Sequence, residues 1–452
     1  MTEATATLVV SGTPGETRAA RLDHGRLTAI THHRPWAAEA GAVLLGRLGS
    51  RVAGGAMVDL GPWGDGFLDA REMKGDAPPQ GATLLVQVRQ PARVEPRGGT
   101  KAARLTRAVA LTARRLALGA RRPGAAVSQR IADADERSRL LALLKDMIAP
   151  GESLVARAAA VGATADALAA ELTTVRAAWA GMTSRAETLT APALVRPAPL
   201  DWAALLGPAD PPPATVLLDD PTARAALEAD LAVWLNDPPP VTLHTGPEDL
   251  FETTGVADAL DAALAPVVPL PSGGRLVIEP TAALVAVDVD AGSGSARAAN
   301  AEALAALPGA LRLRGLAGSI LVDLIADGPR LPGPARRALE EALAADPSPA
   351  RLAGVSRLGL LEISRERRAP SLAERETGPV AQALAALRLA VRETRAAPVP
   401  ALALYVAPGA AAVLRGPLAD TVAAAERRLG LRLRIHDDVT RPVDAPPHVA
   451  PA

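Results

Sequence analysis

The chain has 452 residues and carries 49 Lys and Arg against 49 Asp and Glu, so its formal net charge is zero. At about 150 residues per domain, this length predicts two to four domains. Zero net charge excludes nucleic-acid binding by bulk charge alone, so any such site must be a local patch. The chain has no cysteine, which excludes disulfides, zinc–thiolate sites, iron–sulfur clusters and a cysteine nucleophile.

Arginine supplies 46 of the 49 basic side chains, alongside many Ala, Gly and Pro residues. GC-rich codon usage explains this bias, so the number of arginines is no argument for an RNA ligand. The first residues, MTEATATLVV, include no basic segment, and no apolar run reaches about 18 residues. We therefore expect no secretion signal, no membrane span and a cytoplasmic location.

The first quarter of the chain predicts two small β structures. Residues 8–10, 17–22 and 26–30 are strand-like runs separated by glycine and proline, which predicts an antiparallel meander. Short strands then recur between glycines from residue 41 to residue 111. This spacing predicts a small closed barrel of the five-stranded OB type.

The middle of the chain predicts helices and a linker. Residues 131–180 look mostly helical, because their apolar side chains fall on one helical face, and Asp133 or Asp135 is the expected N-cap. Residues 193–215 are rich in proline and are predicted to be a surface linker. The final ten residues, 443–452, are predicted to be frayed.

The segment that follows the linker has the pattern of an α/β unit. Apolar strands are predicted at 275–278 and 283–289, a helix at 297–313 and a buried strand at 318–325. A strand–helix–strand unit makes its two strands parallel, so their carboxyl ends meet at one edge of the sheet. Open α/β sheets bind their ligands at that edge.

Aspartates occupy the carboxyl ends of these predicted strands. Asp288 and Asp323 fall near the two ends, and Asp290 shares a face with Asp288 because the two are two residues apart on a strand. Neighbouring carboxylates repel unless a cation lies between them. Magnesium suits such a site, since it takes one or two carboxylates and keeps waters for a substrate phosphate. It can polarise a phosphoryl oxygen and deliver hydroxide.

The pattern alone leaves a structural role open. An aspartate at a strand end is also a common turn or cap residue. The histidines offer no competing metal site, because none is spaced as HExxH, and His32 and His33 are expected in a solvated loop beside Pro35. No P-loop motif occurs, and residues 292–294, GSG, are too short for a nucleotide fingerprint.

Six segments carry recognisable signatures: GGTKAARLT at 98–106, TGPEDLF at 245–251, LPSGGRLVIEPTAALVAVDVD at 270–290, NAEA at 300–303, RLRGLAG at 312–318 and SRLGLLEISR at 356–365. In this order they resemble GTKGARLT, TGP-x-x-LF, LPSGG-x-[IL]-VI-[ED]-x-TEAL-x-x-IDVN, NLEA, RLRDLGG and SRFGLLEMSR of the ribonuclease E/G family. The similarity runs nearly end to end.

This resemblance implies a multidomain α+β fold with a small C-terminal α/β domain. The implied parts are a ribonuclease-H-like subdomain (1–36 and 205–270), an inserted OB-type RNA-binding barrel (37–115), a helical 5′-sensor region (116–204), a deoxyribonuclease-I-like α/β catalytic subdomain (271–375) and the C-terminal domain with its tail (376–452).

The resemblance also implies site residues. Asp288 and Asp323 would hold magnesium, with Asp290 as a third catalytic residue, and Arg157 would sense a 5′-phosphate. The residues expected to contact RNA are Phe67, Lys101, Arg104, Arg114, Arg115, Arg365 and Arg367. The alternative is that Phe67 belongs to the barrel core and that the arginines are merely solvated.

The chain departs from the family pattern at several positions. Asp290 replaces an asparagine, and a third carboxylate either tightens metal binding or raises the pKa of a neighbouring acid. The CPxC pair through which two subunits share a zinc is absent, and residues 374–379, ERETGP, take its place. A zinc link is therefore not expected, and any oligomer must use other surfaces. Ala158 replaces the threonine that partners the sensor arginine, and Met57 replaces a barrel phenylalanine.

The leading hypothesis is a magnesium-dependent endoribonuclease that hydrolyses single-stranded RNA in RNA processing and decay. The alternative is a catalytically degenerate relative that binds RNA as a decay or ribosome-maturation partner, which the departures favour. The retained pair Asp288 and Asp323 argues against it, because a protein that only binds RNA has no need for paired carboxylates. An enzyme acting on DNA is a third hypothesis, against which the RNA-binding barrel argues.

Overall fold

The computed structural model describes residues 6–73, 78–94, 98–119, 122–207, 211–235, 237–325, 331, 333–396, 399–442 and 445–452. Pro208 of the predicted linker lies outside these residues. The chain forms two compact units. Unit 1 comprises Met1–His33, Ala204–Arg224 and Pro239–Ala452, and unit 2 comprises Arg34–Ala203 and Ala225–Pro238.

The strands are, in chain order, β1 (Ala6–Thr13), β2 (Glu16–Asp23), β3 (Arg26–His33), β4 (Val43–Val52), β5 (Gly55–Asp59), β6 (Asp65–Asp69), β7 (Thr83–Gln90), β8 (Arg93–Val94), β9 (Thr100–Lys101), β10 (Ala103–Thr106), β11 (Ala110–Thr112), β12 (Leu116–Gly119), β13 (Gly124–Val127), β14 (Ser153–Ala156), β15 (Ala193–Arg196), β16 (Pro213–Leu218), β17 (Val241–Leu243), β18 (Val267–Pro269), β19 (Arg275–Pro280), β20 (Val285–Asp290), β21 (Gly318–Asp323), β22 (Ala350–Val355), β23 (Leu361–Arg365), β24 (Ala401–Val406), β25 (Arg432–Asp437) and β26 (His448–Pro451).

The α-helices are α1 (Ala134–Met147), α2 (Ala165–Thr188), α3 (Trp202–Leu205), α4 (Arg224–Trp234), α5 (Leu250–Thr253), α6 (Val256–Leu264), α7 (Ala296–Leu313), α8 (Gly333–Ala344), α9 (Leu372–Glu376), α10 (Gly378–Ala396), α11 (Pro408–Arg415) and α12 (Ala419–Leu429).

The predicted N-terminal meander is confirmed as β1, β2 and β3 of a five-stranded sheet. Two-residue turns join these strands, and in the second turn both His24 and Gly25 have positive φ, 51° and 75°. Such turns match the right-handed twist of a hairpin. The strand order is β17-β16-β1-β2-β3, with β16 and β17 parallel to β1.

The predicted barrel is also confirmed, in unit 2. The order β4-β5-β6-β10-β7 closes because β4 pairs with both β5 and β7. Its core is built from alternate side chains of these strands, among them Leu44, Val58 and Leu68. Strand β15 adds to the barrel at β4, although it lies in the sequence range expected for the sensor region.

The rest of unit 2 is a four-stranded sheet, β11-β12-β14-β13, packed on α1 and α2. Asp133 caps α1 as predicted, since its carboxylate accepts hydrogen bonds from the backbone N–H groups of Asp135 and Glu136. The predicted helical segment 131–180 also contains strand β14, which pairs with β12 and β13. Strand β11 belongs to this sheet, although its residues lie in the range predicted for the barrel.

Unit 1 also contains a six-stranded sheet, β18-β19-β20-β21-β23-β22, whose buried face packs on α7 and α8. A three-stranded sheet, β25-β24-β26, carries α10, α11 and α12. The prediction of a frayed tail was wrong for its last residues, because β26 pairs antiparallel with β24. The pairing satisfies backbone N–H and C=O groups of the tail, which its Pro- and Ala-rich composition did not predict.

Among the residues that the structure describes, no helix is both long enough and apolar enough to span a bilayer.

Candidate active site

Asp288 and Asp323 lie side by side at the carboxyl ends of two neighbouring parallel strands. Strands β20 and β21 pair in parallel, and Asp288 is directly in register with Asp323. Both residues are exposed, whereas Val287 and Val322, one position earlier, are buried on the opposite face. Adjacent strands lie about 4.8 Å apart, so the two carboxylates share one small surface. Within the described part of the chain, neither has a hydrogen-bond or ion-pair partner.

The crossover helix α7 fixes the register of this pair. Its buried face includes Ala299, Ala303 and Leu307, which pack on the sheet core. From the same helix the Asn300 amide clamps the backbone just beyond Asp323. It donates to the Ile325 carbonyl oxygen over 2.8 Å and accepts from the Ile325 N–H over 3.0 Å. Asn300 therefore holds the end of β21 in place, a role that its place in the NAEA motif did not reveal.

Two glycine-containing loops pack backbone against backbone beside the aspartates. A Cβ on Gly274 would lie 2.6 Å from the Asp290 carbonyl oxygen, and one on Gly292 would lie 2.3 Å from the Gly273 carbonyl oxygen. A side chain at either position would push the loops apart. Glu302 of α7 anchors the first loop by accepting a hydrogen bond of 2.9 Å from the Ser272 N–H. Direct backbone contact thus fixes the loop that follows Asp290 and the loop that contains Gly273 and Gly274.

Asp290 is occupied by partners of its own. Its carboxylate pairs with Arg275, the cross-strand neighbour on β19, at 2.6 Å and accepts a hydrogen bond from the Gly292 N–H at 2.8 Å. The Gly292 N–H and the Arg275 guanidinium together lower the pKa of Asp290. The third carboxylate is therefore neutralised by an arginine and orders the loop that follows β20.

The donor set fits a magnesium ion. No group of three or more acidic or histidine side chains suited to a metal occurs among the described residues. Asp288 and Asp323 offer two neighbouring carboxylates, and magnesium is usually bound by one or two carboxylates while it retains several waters. Both carboxylates are exposed, which leaves room for those waters and for a phosphate.

Arg365 and Arg367, two of the arginines expected to contact RNA, are paired inside unit 1. Arg365 is only 7% exposed, and it forms hydrogen bonds of 2.9 and 3.0 Å with both carboxylate oxygens of Asp346. It lies at the end of the sheet opposite Asp323, since it is in register with Gly318. Arg367 pairs with Glu374 at 2.7 Å. The structure thus places the Arg365 side chain in the interior of unit 1, bonded to Asp346.

Two arginines that the sequence did not single out lie at the edge of the aspartates. Arg297 is in the first turn of α7, and Arg357 is in the hairpin between β22 and β23; both are exposed, with no partner among the described residues. The hairpin reaches this edge because Val322 is in register with Leu361. Leu358, beside Arg357, is 81% exposed. Arg357 lies two residues before Gly359, and a glycine is the one turn signal that the sequence offers there; its φ is 85° in the structure.

The barrel presents a separate surface in unit 2. Phe67 is half-buried and lies outside the barrel's core cluster, with Met57 and Arg104 in register on the two neighbouring strands. Arg104 and Lys101 are exposed. An aromatic ring that is partly accessible and lies beside cations is a combination that can stack on an unpaired base and contact its phosphate.

Arg157, the predicted sensor arginine, and its neighbours make contacts within unit 2. The Arg157 guanidinium donates to the carbonyl oxygens of Ala113 and Arg114. Arg115 pairs with the buried Glu171 at 3.2 Å, and Glu171 also accepts hydrogen bonds from the N–H groups of Arg115 and Leu116. Arg114 is half-buried, and burial lowers the pKa of its guanidinium. These contacts hold β12 against α2.

The segment that stands where the family has its zinc cysteines makes contacts within the chain. Glu376 accepts a hydrogen bond of 2.6 Å from His32, which is buried at the end of β3. The expectation that His32 lies in a solvated loop was therefore wrong. Glu374 caps α9 in a capping box with Ser371. Both glutamates are thus engaged within unit 1.

Known proteins resemble this chain over more than half of its length. The model of the ribonuclease E/G family matches residues 110–368. Ribonuclease G of Escherichia coli (strain K12) is 31% identical over 364 residues, which cover 71% of this chain and 71% of that protein. Ribonuclease E of the same strain is 29% identical over 353 residues, and ribonuclease E of Nostoc sp. is 31% identical over 260 residues. The matched part spans only 32% and 37% of those two proteins. From the family match and the ribonuclease G relative, the chain belongs to the ribonuclease E/G family.

Proposed function

We propose that this chain is an endoribonuclease that hydrolyses single-stranded RNA, with magnesium held by Asp288 and Asp323. The observation that carries the proposal is the exposed, in-register aspartate pair at the carboxyl edge of β20 and β21. The names of the relatives, ribonuclease G and ribonuclease E, supply the reaction class. When bound, the ion supplies polarisation of the phosphodiester and activation of water.

The chain's own residues prepare the reaction. Asn300 keeps Asp323 in register with Asp288, so the ligand set is ordered before substrate arrives. Arg297 and Arg357 are placed to hold the non-bridging oxygens of the phosphate, because a guanidinium binds phosphate through charge-assisted hydrogen bonds. Asp290, already paired with Arg275, orders the intervening loop.

Substrate binding is assigned to the barrel. Phe67 would stack on an unpaired base, while Arg104 and Lys101 would contact its phosphates. In unit 1, the strand order β17-β16-β1-β2-β3 supports a ribonuclease-H-like subdomain, and the six-stranded sheet with α7 and α8 supports a deoxyribonuclease-I-like one.

The test is cleavage of a fluorescent single-stranded RNA in magnesium by the wild type, Asp288→Asn and Asp323→Asn. Each variant should lose at least 1,000-fold in rate, on the order expected when an ion's ligand is removed. Asp261→Asn is the matched control, since Asp261 is exposed on α6 and has no partner among the described residues. Full activity in either site variant would overturn the metal assignment.

A second candidate function is RNA binding without cleavage. The inward contacts of Arg157 and the pairing of Asp290 favour it, because both residues are engaged within the chain. Absence of cleavage by the wild type across several RNAs, with binding intact, would select this second function.

A further inference from the structure

Three rings cross one face of the three-stranded sheet in unit 1. Tyr405 of β24 stacks on His436 of β25, with ring centroids 5.0 Å apart and planes 18° apart. It also stacks on His448 of β26, at 5.7 Å and 27°. Both centroid distances are close to the spacing between neighbouring strands. They are too short for rings that lie edge to edge in one plane, so the rings stack face to face. The rings therefore form a column of three plates.

The column stands on the side of the sheet that the helices leave open. Leu402 and Leu404 of β24 are buried on the other face, where α10 and α11 pack. His436 and His448 are exposed, and Tyr405 is half-buried between them. Strands β25 and β26 are the outer strands of this sheet. His436 and His448 are therefore the two end rings of the column, and the outer face of each imidazole points away from Tyr405.

The composition makes this placement unusual. The chain has one tyrosine in 452 residues and only six histidines, and three of these seven rings form the column. An aromatic ring gains the most stability from burial in the core. A column whose two end rings are exposed offers a surface on which another flat ring can stack.

The charge beside the column is positive. Arg434 lies two residues before His436, hence on the same face, and it is exposed without a partner among the described residues. Asp437 points to the other side of the strand, and Arg415 neutralises it at 2.6 Å. Beside Tyr405 on this face, the central strand has only Ala401 and Ala403, which are buried, so it offers no exposed aliphatic side chain. A protein partner would need larger aliphatic side chains than these.

We propose that Tyr405, His436, His448 and Arg434, here termed the ring face, bind an unpaired nucleobase of single-stranded RNA. The base stacks on the outer imidazole face of His436, and the Arg434 guanidinium contacts the adjacent phosphate. The proposal rests on the proposed function, since it takes RNA as the ligand. It adds a second RNA contact in unit 1, distinct from the barrel and from the aspartate pair.

The experiment measures the binding of a fluorescein-labelled, unstructured RNA oligonucleotide by anisotropy, with EDTA present so that no cleavage occurs. His436→Ala should weaken binding about tenfold, because it removes the stacking plate. Arg434→Ala should weaken binding and reduce the salt slope by about one. Tyr405→Phe keeps the column and should bind within twofold of the wild type. Arg427→Ala is the charge-matched control: Arg427 is exposed on α12, without a partner among the described residues, and this variant should also bind within twofold.

An oligonucleotide that carries 2-aminopurine reports the stacking directly. Its fluorescence should be quenched by the wild type and by Tyr405→Phe, and less so by His436→Ala. Unchanged affinity and quenching in His436→Ala, with Phe67→Ala defective, would overturn the ring face and leave the proposed function intact. A wild-type protein that binds no RNA would overturn both.

Discussion

Two charged side chains are exposed and unpaired at one end of the six-stranded sheet, within the described residues, and two are buried and paired at the other end. At the carboxyl end of β21, Asp323 and its neighbour Asp288 are exposed and have no partner among the described residues. At the other end of the sheet, Arg365 of β23 is in register with Gly318 of β21, and it is buried and bonded to both carboxylate oxygens of the buried Asp346. Arg365 also donates to the Leu316 carbonyl oxygen over 2.8 Å.

This contrast separates charges that stabilise the fold from charges that are available to a ligand. A buried guanidinium needs its carboxylate, because a lone buried charge is strongly unfavourable. Two exposed carboxylates held in register repel each other and gain a favourable contact only from a cation. In a chain so rich in arginine, pairing therefore identifies functional charges better than residue type does.

The largest expected effect comes from removing the buried carboxylate. Asp346→Ala should lower the free energy of unfolding by about 3–5 kcal/mol, because it leaves Arg365 buried and unpaired. Asp288→Ala should change it by less than about 0.5 kcal/mol, since an exposed residue without partners contributes little. Urea denaturation of the two variants measures the difference. Equal losses would show that the two ends do not differ as the pairing indicates.

The next effect concerns another buried pair, His32 and Glu376. Burial raises the pKa of Glu376, but the hydrogen bond from His32 and the nearby Arg388 and Arg18 lower it to about 2, from 4.5. Because the pKa is depressed in the folded state, the ionised carboxylate stabilises the fold above pH 4.5, and this stability is lost as the pH falls towards 2. Glu376→Gln should therefore be less stable by on the order of 3 kcal/mol at pH 7.

The difference in Tm between wild type and Glu376→Gln, followed from pH 7 to pH 3, should narrow as the pH falls below about 4.5. Glu279→Gln is the control, because Glu279 is exposed on β19, and this variant should follow the wild type at every pH. A gap that stays constant across this range would contradict the assignment of the pair.

The smallest expected effect distinguishes a free arginine from a paired one. Arg357→Ala should lower kcat/KM about 10- to 100-fold, the value of one charge-assisted hydrogen bond to phosphate, with little change in stability. Arg367→Ala removes the same charge from a side chain that Glu374 already holds, and it should lower kcat/KM less than about threefold. Similar losses in both variants would mean that pairing does not predict which arginine meets RNA.

Local pattern predicted much of the fold and the adjacency of Asp288 and Asp323. The meander, the closed barrel and the cap at Asp133 follow from alternation, glycine spacing and capping chemistry, which act over a few residues. The register of Asp288 with Asp323 follows from one strand–helix–strand unit, whose geometry is tightly constrained.

Partners distant in sequence were not predictable. His32 was expected in a solvated loop, yet it reaches Glu376, 344 residues later. Arg365 and Arg357 belong to the same sequence motif. The motif does not show that Arg365 pairs with Asp346 whereas Arg357 stays exposed. Strand β15 pairs with barrel strand β4, although α1 and α2 separate the two strands in the sequence. Each of these outcomes depends on tertiary contacts that a residue's local sequence does not determine.

The contact between the loops at Gly273 and Gly292 has a consequence for how an ion would be taken up. Because backbone packs directly on backbone there, folding has already fixed the conformation of the loops beside Asp288 and Asp290. An ion would then meet a site that needs no further ordering, so its binding should release water without gaining much amide protection from hydrogen exchange. Preorganisation of this kind favours tighter binding of an ion, because no loop has to become ordered when the ion binds.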